Sequence, residues 1–195
     1  MSCGDIAADV IIDCDNPIKA GTENRMIVLN RTDWNNGAIG FSISNNQVVE
    51  SIALATGKEG FVYEGKRNSI TPKYELVKTK FSEDYKHEVS NKVFDLTIAT
   101  KKELMAMAKG SFVVLVENKY KGATGEAAYE IYGVDAGLEL SQNVREINNI
   151  ETGGAFDIIL SSNDEDLEKF MPKVLFKTDF ATTKAVFESL LTAAV

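Results

Sequence analysis

The sequence predicts a mainly β protein, a β-sandwich or barrel with a flanking α-helix, a projecting β-hairpin and a C-terminal helix. Short apolar runs separated by turn residues recur along the chain, which is typical of sandwiches and barrels. Two other stretches carry helix-start signals. The 195 residues, 44% of them hydrophobic, suit one domain with an ample core. We therefore predict a single domain over 1–195, with an N-terminal arm at 1–20 and a projecting hairpin at 70–98.

The first third of the chain contains a set of short predicted strands. The Asn-Gly pair at 36–37 is a strong turn signal and predicts a chain reversal. Phe41 and Ile43 alternate with polar residues, as in a half-buried strand, and the GKEG segment at 57–60 supplies a second turn. The predicted strands of this set are 25–31, 40–44, 47–56 and 61–67.

The hairpin combines two longer runs, about 73–81 and 85–98, that are joined near 82–84. Phe94, Leu96 and Ile98 alternate, so we expect the second run to end in the core. The middle of the pair is poor in apolar residues and rich in Lys and Glu, which indicates a charged tip that projects from the body. An ordinary surface hairpin is the alternative.

A helix and a buried strand follow the hairpin. Thr100 and Glu103 fit an N-cap with its reciprocal Glu, Leu104, Met105 and Met107 form an apolar face, and Gly110 ends the helix. The run SFVVLVEN (111–118) is almost wholly apolar and predicts a central strand that is covered on both faces. After a loop, AYEIYGVD (128–135) predicts another strand, in which Gly133 indicates a bulge or a close backbone approach.

The C-terminal part continues the pattern. Phe156, Ile158 and Leu160 share one face of a strand over 155–162. NDEDLEKFMP (163–172) predicts a short helix stopped by proline, and KVLFKT (173–178) predicts a further strand. From Asp179 or Thr182 onward the chain predicts a terminal helix, with its inward face formed by Val186, Phe187 and Leu190.

Composition excludes several classes of protein. The formal charge of −8 disfavours generic nucleic acid binding, because that affinity comes mainly from cations that displace counterions. Residues 1–57 contain 3 basic and 7 acidic side chains, whereas residues 58–102 contain 10 and 7. This alternation could give complementary faces to copies of one chain, although chance clustering on a solvated surface would look similar. The sequence contains no run of about 18 apolar residues, so a membrane-spanning helix is not predicted. The acid-containing start is unlike a signal peptide.

The reactive side chains form no convergent set in the sequence. We therefore expect that the protein is not an enzyme and binds no metal or cofactor. His87 lies in the charged hairpin, where we expect it to be exposed. Cys3 and Cys14 match no zinc spacing and are expected to be reduced, partly buried thiols. The acidic run 164–166 lacks the Gly and the final Glu of a calcium loop. No glycine-rich motif opens a helix after a strand, so a phosphate loop is not predicted.

Three stretches resemble the tail tube (major tail) proteins of bacteriophages, of the type found in phages of Bacteroidetes. They are KKELMAMAKGSFVVLVENKYKG, AYEIYGVDAGLEL and NNIETGGAFDIILSSNDEDLEKFMPKVLF. The shared features are a helix before an apolar strand ending in Val-Glu, a Tyr-Gly-x-x-x-Gly-Leu stretch, a Gly-Gly-x-Phe-x-Ile-x-Leu strand and an acidic segment leading into proline. The resemblance covers about 100–175, with a looser likeness at 14–30.

The resemblance implies a structural virion protein made in the bacterial host cytoplasm. Its subunits would form rings, expected to be hexameric, that stack into a tail tube and contact other tail and connector proteins. Genome DNA would pass through without specific binding, because lumen carboxylates repel phosphates. We expect lumen-facing carboxylates among Glu126, Glu130, Asp135, Glu139 and Glu151. We expect contacts to the adjacent ring from Lys73, Lys78, Lys80 and Lys86.

Other functions remain open at this stage. One is another virion component, namely a head-to-tail connector, a ring protein, a tail terminator or the inner tube of a contractile machine. A second is a monomeric β-sandwich that binds carbohydrate or protein, which would be expected to expose clustered aromatic residues. An enzyme is the least favoured, since no His, Cys or carboxylate set converges.

Overall fold

The computed structural model describes residues 6 and 8–193, which form two β-sheets and three helices. The first six strands are β1 (Thr22–Asn30), β2 (Ala38–Phe41), β3 (Val48–Ala53), β4 (Phe61–Glu64), β5 (Thr71–Lys78) and β6 (Glu83–Val93). The other five are β7 (Phe112–Asn118), β8 (Tyr129–Tyr132), β9 (Glu139–Arg145), β10 (Phe156–Ser161) and β11 (Lys173–Leu175). The helices are α1 (Arg31–Asn35), α2 (Ile98–Met107) and α3 (Phe180–Ser189).

The two sheets pack face to face, and α3 covers the outer face of the larger one. The seven-stranded sheet has the order β2-β3-β11-β8-β7-β1-β4, and the four-stranded sheet has the order β5-β6-β10-β9. All pairings are antiparallel except that of β3 with β11. One apolar cluster lies between the sheets and a second lies between the seven-stranded sheet and α3. The predicted mainly β sandwich with helices is confirmed.

Strand β7 is the centre of the larger sheet and is buried on both faces. Side chains alternate across a strand, so Val114 and Val116 enter the cluster between the sheets, whereas Val113 and Leu115 enter the cluster beneath α3. These four side chains are fully buried. The prediction of a central strand covered on both faces is confirmed.

Helix α3 closes the outer cluster as the sequence predicts. The Asp179 carboxylate accepts a hydrogen bond from the Thr182 backbone N–H, and the Thr182 hydroxyl reciprocally accepts one from the Asp179 N–H, which forms a capping box. Phe187 and Leu190 are buried, and the Phe187 ring lies 4.6 Å from that of Tyr129 between centroids.

The start of α2 differs from the prediction. The N-cap is Thr97, whose hydroxyl accepts the Thr100 backbone N–H, and Asp95 in turn accepts hydrogen bonds from the hydroxyls of both threonines. Because the chain turns into this cap, β6 ends at Val93 and does not continue into the core. Leu96 is exposed as a result.

Further along the same segment, Ile98 is also exposed, so the expectation that the alternating run ends in the core is wrong. In the helix itself, Leu104 and Met107 join the cluster between the sheets, whereas Met105 points to solvent. The apolar face of α2 is therefore narrower than predicted.

Two other elements are corrected. Strand β2 ends at Phe41 and leaves Ile43 fully exposed in the β2–β3 loop. Residues 163–172 form turns and isolated bridges in place of the predicted helix. The reason is tertiary: Glu168 and Tyr85 exchange backbone hydrogen bonds of 2.7 and 3.0 Å, and this pairing holds the segment extended.

Shortening a buried side chain of the central strand β7 should lower the stability of the fold considerably. Leu115→Ala should lower the free energy of unfolding by about 3 kcal/mol, because the site is fully buried and cannot collapse around the cavity. Met105→Ala, at an exposed position of α2, should change it by less than about 0.5 kcal/mol. Urea denaturation of both variants measures the difference, and equal effects would contradict the two-faced burial of β7.

Candidate assembly surfaces

Neither a metal-binding cluster nor a membrane-spanning helix is found in the described residues. In residues 6 and 8–193, no group of three or more His, Cys, Asp or Glu side chains is arranged to hold a metal ion. None of the helices in that part of the chain is both long and apolar enough to span a membrane.

The structure overturns the expectation for His87. The side chain is only 1% exposed, because it lies on the inward face of β6 together with Val89 and Val93. Its Nε2–H donates to the Phe170 carbonyl at 3.0 Å, and its Nδ1 accepts the Gly133 N–H at 3.3 Å. Burial lowers the pKa of His87 from 6.5 to about 4. Alternation along β6 was the signal for this placement, but the flanking charged residues concealed it.

Glu168 forms a second buried polar contact in the same region. Its carboxylate accepts the backbone N–H groups of Asp135, Ala136 and Gly137 at 2.7 to 3.0 Å. Burial raises the pKa of Glu168, and these three hydrogen bonds oppose that effect. The sequence offered no local indication, since the partners lie more than thirty residues away.

His87 and Glu168 therefore tie the two sheets of the sandwich together through hydrogen bonds to backbone groups. The 162–172 segment, which we call the strap, leaves the four-stranded sheet at β10 and enters the seven-stranded sheet at β11. Glu168 is hydrogen-bonded to the loop after β8, and both ring nitrogens of His87 form hydrogen bonds with backbone groups. A substrate would find neither group available for proton transfer.

The outer surfaces of the sheets end in four edge strands, namely β2, β4, β5 and β9. An edge strand presents unpaired backbone N–H and C=O groups that can pair with another chain. Strand β5 is the longest of them, with eight residues, and among residues 6 and 8–193 it pairs only with β6. Pro72 near its start is typical of an edge, because proline cannot donate a ladder hydrogen bond.

The β5–β6 hairpin also exposes apolar side chains. Tyr74 and Leu76 lie on the same face of β5 and are about half exposed, and Phe81 at the turn is 90% exposed. Between the Tyr85–Glu168 bridge and the hairpin turn, β5 and β6 pair only with each other in the described part of the chain. This apolar content was missed in the sequence, where the lysines were the more obvious feature.

The four predicted contact lysines fall into two pairs. Lys73 forms an ion pair of 3.0 Å with Glu88, and a hydrogen bond to Asp164 raises the pKa of Lys86. Lys78 and Lys80 form no ion pair within the described part of the chain, and both are exposed. The hairpin turn therefore carries the charges that remain available to another molecule.

Three of the predicted lumen carboxylates are engaged within their own loops or strands. Glu126 accepts the backbone N–H of Thr124 and its hydroxyl, and these hydrogen bonds lower the pKa of Glu126. Glu130 is half-buried and accepts the Tyr132 hydroxyl. Asp135 is half-buried in the loop that Glu168 holds.

The other two predicted carboxylates lie near opposite ends of β9. Glu139 starts the strand, opposite Ser161, which is itself opposite Glu88. Glu151 lies in the turn after β9 and is exposed. Seven residues separate the strand ends by about 20 Å. The structure therefore places Glu139 on the outer face of the four-stranded sheet and does not gather the five carboxylates on one surface.

That outer face is polar and carries more acids than lysines. Lys73 pairs with Glu88, and Lys92 lies 3.7 Å from Asp157. The strand registers place two sets of charged residues on this face. The acids are Glu75, Asp84, Glu88, Glu139 and Asp157, and the lysines are Lys73, Lys86 and Lys92.

The N-terminal arm, residues 8–20, contains no strand and exposes a line of aliphatic residues. Val10, Ile11, Ile12 and Ile18 are each at least 85% exposed. Cys14 is also exposed, which corrects the expected partial burial, whereas Cys3 lies outside the described residues.

A groove of about 1050 Å³ lies between β4 and α2. Phe61, Tyr63, Leu104 and Met107 supply its apolar wall. Its rim is mostly acidic, with Glu59, Glu64, Asp95 and Glu103 against Lys66 and Lys109.

No protein-family model, curated protein or solved structure matches the chain. The edges, the outer sheet face and the arm are therefore the observations from which its function is inferred.

Removal of the Glu168 carboxylate should separate the strap from the loop after β8. Glu168→Ala leaves three backbone donors without their charged acceptor, so the free energy of unfolding should fall by about 3 kcal/mol. Glu165→Ala, an exposed acid of the same strap, should have an effect below about 0.5 kcal/mol. Chemical denaturation at pH 7 compares the two, and indistinguishable values would show that Glu168 does not join the sheets.

His87 should make the fold sensitive to acid. Because its pKa is lower in the folded state, stability is fully present above pH 6.5 and is lost as the pH falls toward 4. The expected loss from this residue is about 3 kcal/mol at pH 4. His87→Gln should remove that component, so its free energy of unfolding should fall less between pH 7 and pH 4. Parallel pH profiles for the two proteins would be inconsistent with a buried neutral imidazole.

Proposed function

We propose that this chain is a structural subunit that assembles with copies of itself into stacked rings, forming a tube of the kind that passes DNA through a bacteriophage tail. The observation that carries the proposal is the β5 edge, an eight-residue strand with bare backbone groups and exposed apolar neighbours. A solitary protein protects such an edge with charge, proline, bulges or covering loops, and β5 has Pro72, Lys73 and Lys78 of this kind. Here the surrounding Tyr74, Leu76 and Phe81 favour a partner.

The remaining edges support lateral contacts within a ring. Phe61 and Val62 on the edge strand β4 are partly exposed. Val144 is partly exposed on the edge strand β9 of the other sheet, where it lies opposite Asp157 at the border of the outer face. Joining the β4 side of one copy to the β9 side of the next is a head-to-tail contact, and such contacts close into rings when the rotation permits. Burial of this apolar area would contribute about 25 cal/mol per Å².

The outer face of the four-stranded sheet is the surface best suited to a bore. Its five acids outnumber its three lysines, so phosphates would be repelled. The lysines are neutralised by neighbouring carboxylates, such as Glu88 beside Lys73, and offer few sites for counterion release. Among the predicted lumen carboxylates, Glu139 is the one that this arrangement would place in the bore.

A second candidate function has one observation in its favour. The groove between β4 and α2 would suit a monomeric binding module, because its walls are apolar and its rim is polar. Such a module would remain monomeric at high concentration. Other ring-forming virion proteins, including connectors and tail terminators, would use the same edges as a tail tube.

The proposal is tested by particle mass and negative-stain microscopy of the purified chain. The wild-type protein should form rings or filaments with a central channel. Phe61→Asp combined with Val144→Asp should yield monomers with an unchanged circular dichroism spectrum, because a charge on each edge opposes burial.

Ile98→Asp provides the control for this test. It adds one aspartate, compared with two in the test variant, at an exposed position in the first turn of α2, where an acid is favourable, and should leave assembly intact. A wild-type protein that stays monomeric at millimolar concentration would refute the proposal and favour the binding module.

Charge reversal at the hairpin turn should weaken contacts between rings. Lys78→Glu with Lys80→Glu should shorten filaments and leave the free energy of unfolding within about 0.5 kcal/mol, since neither lysine is paired within the described chain. Lys177→Glu with Lys184→Glu makes the same charge change at exposed positions beside and within α3. Filament lengths that are equal for the two double variants would exclude the hairpin lysines from the contact.

A further inference from the structure

We propose that the N-terminal arm of one copy, residues 9–15, pairs as an added strand with the outer edge of β5 of a second copy. This inference rests on the proposed self-assembly and names the segment that occupies the hairpin. It combines an exposed apolar segment, an exposed edge strand and opposite charges on the two.

The arm has the composition of a β-strand, although it is not paired with another strand in the described structure. Val10, Ile11 and Ile12 are β-branched and therefore favour extended backbone, yet each is at least 85% exposed. Three consecutive exposed aliphatic residues are unfavourable in water, and their burial against another molecule would be favourable. The arm is therefore suited to bury this surface on another molecule.

The acceptor is the outer edge of β5. In an antiparallel ladder, alternate residues direct their backbone groups away from the existing partner, so about four residues of β5 face outward. A strand of seven residues matches the length of this edge. Pairing of this kind gains affinity from main-chain hydrogen bonds and specificity from alternate side chains.

The side-chain alternation of the two segments agrees. In an extended arm, Val10 and Ile12 share one face and Asp9 and Asp13 share the other. The β5 register places Tyr74 and Leu76 on the inward-facing side and Lys73 on the outer side. When the added strand is oriented with Val10 and Ile12 toward the inward side of the sheet, these aliphatic residues lie beside Tyr74 and Leu76.

In this orientation, the acids of the arm lie on the side of Lys73 and Glu75, whereas Lys78 lies on the side of Tyr74 and Leu76. Asp9, Asp13 and Asp15 belong to the arm, whereas residues 71–81 contain three lysines and one acid, Glu75. Lys78 and Lys80 form no ion pair in the described chain. The arm and the 71–81 segment therefore have opposite net charge, which favours their association in general and does not fix individual ion pairs.

The base of the arm is held in its own copy, between the β7–β8 loop and the start of β5, and the described arm does not pair with that strand. The Gly21 carbonyl accepts the Lys119 N–H at 2.9 Å, and Asn16 forms hydrogen bonds with the Tyr120 hydroxyl. These contacts hold the base of the arm along the β7–β8 loop, and the arm is not paired with its own β5. Each copy then offers one arm and one acceptor edge, which is the condition for a repeating head-to-tail contact.

Disulfide trapping between two full-length proteins tests the inference. One protein retains Cys14 and carries Cys3→Ser. The other carries Cys3→Ser, Cys14→Ser and Leu76→Cys, with a different affinity tag. After co-expression and mild oxidation, the two-chain product should exceed by about tenfold that obtained when the second cysteine is Ile150→Cys, an exposed control in the turn after β9.

A variant of the arm provides the second measurement. Ile12→Asp in the protein that retains Cys14 should reduce the trapped product about tenfold, because the aspartate would face Tyr74 and Leu76. Ile43→Asp, in the exposed β2–β3 loop, should not reduce it. Circular dichroism confirms that both variants fold.

The outcomes separate this inference from the proposed function. Rings or filaments that form without selective trapping at position 76 would overturn the arm contact and leave the tube proposal standing. A disulfide formed within one chain carrying both Cys14 and Leu76→Cys would show that the arm pairs with its own hairpin, which also overturns the inference. A protein that remains monomeric and untrapped would refute both.

Discussion

The burial of β7 on both faces is the constraint on which the rest of the molecule depends. Val114 and Val116 supply the core between the sheets, whereas Val113 and Leu115 supply the core beneath α3. One strand therefore fixes the positions of all three layers. Because both faces of the larger sheet are covered over its centre, its remaining opportunities for contact lie at its edges.

The strap determines how the two sheets are oriented. Glu168 holds the loop after β8, and His87 holds both that loop and the strap itself at Phe170. These are hydrogen bonds within a low-dielectric interior, where an unmade bond is expensive and a made one restricts motion. The hairpin that begins at β5 is thereby set on a rigid base, which suits its proposed contact with a neighbouring copy.

Local periodicity predicted β7, β10 and α3, because each carries its own burial pattern or cap. The same reasoning failed for the strap and for His87, whose partners are 46 to 83 residues distant and leave no local pattern. It also overvalued the hairpin lysines, since Lys73 is neutralised by Glu88 on the paired strand and Lys86 by Asp164 of the strap. The proposed assembly surfaces are still harder to predict from the sequence, because their partners would belong to another molecule.

The proposed account treats the chain as a β structure that is completed by identical copies. Amide hydrogen exchange along β5, measured above and below the assembly concentration, tests this most directly. The account predicts that outward-facing amides of Thr71–Lys78 exchange rapidly in the monomer and slowly in the assembly, whereas β7 is protected in both. Rapid exchange along β5 in assembled particles would contradict it, because the edge would then have no partner strand.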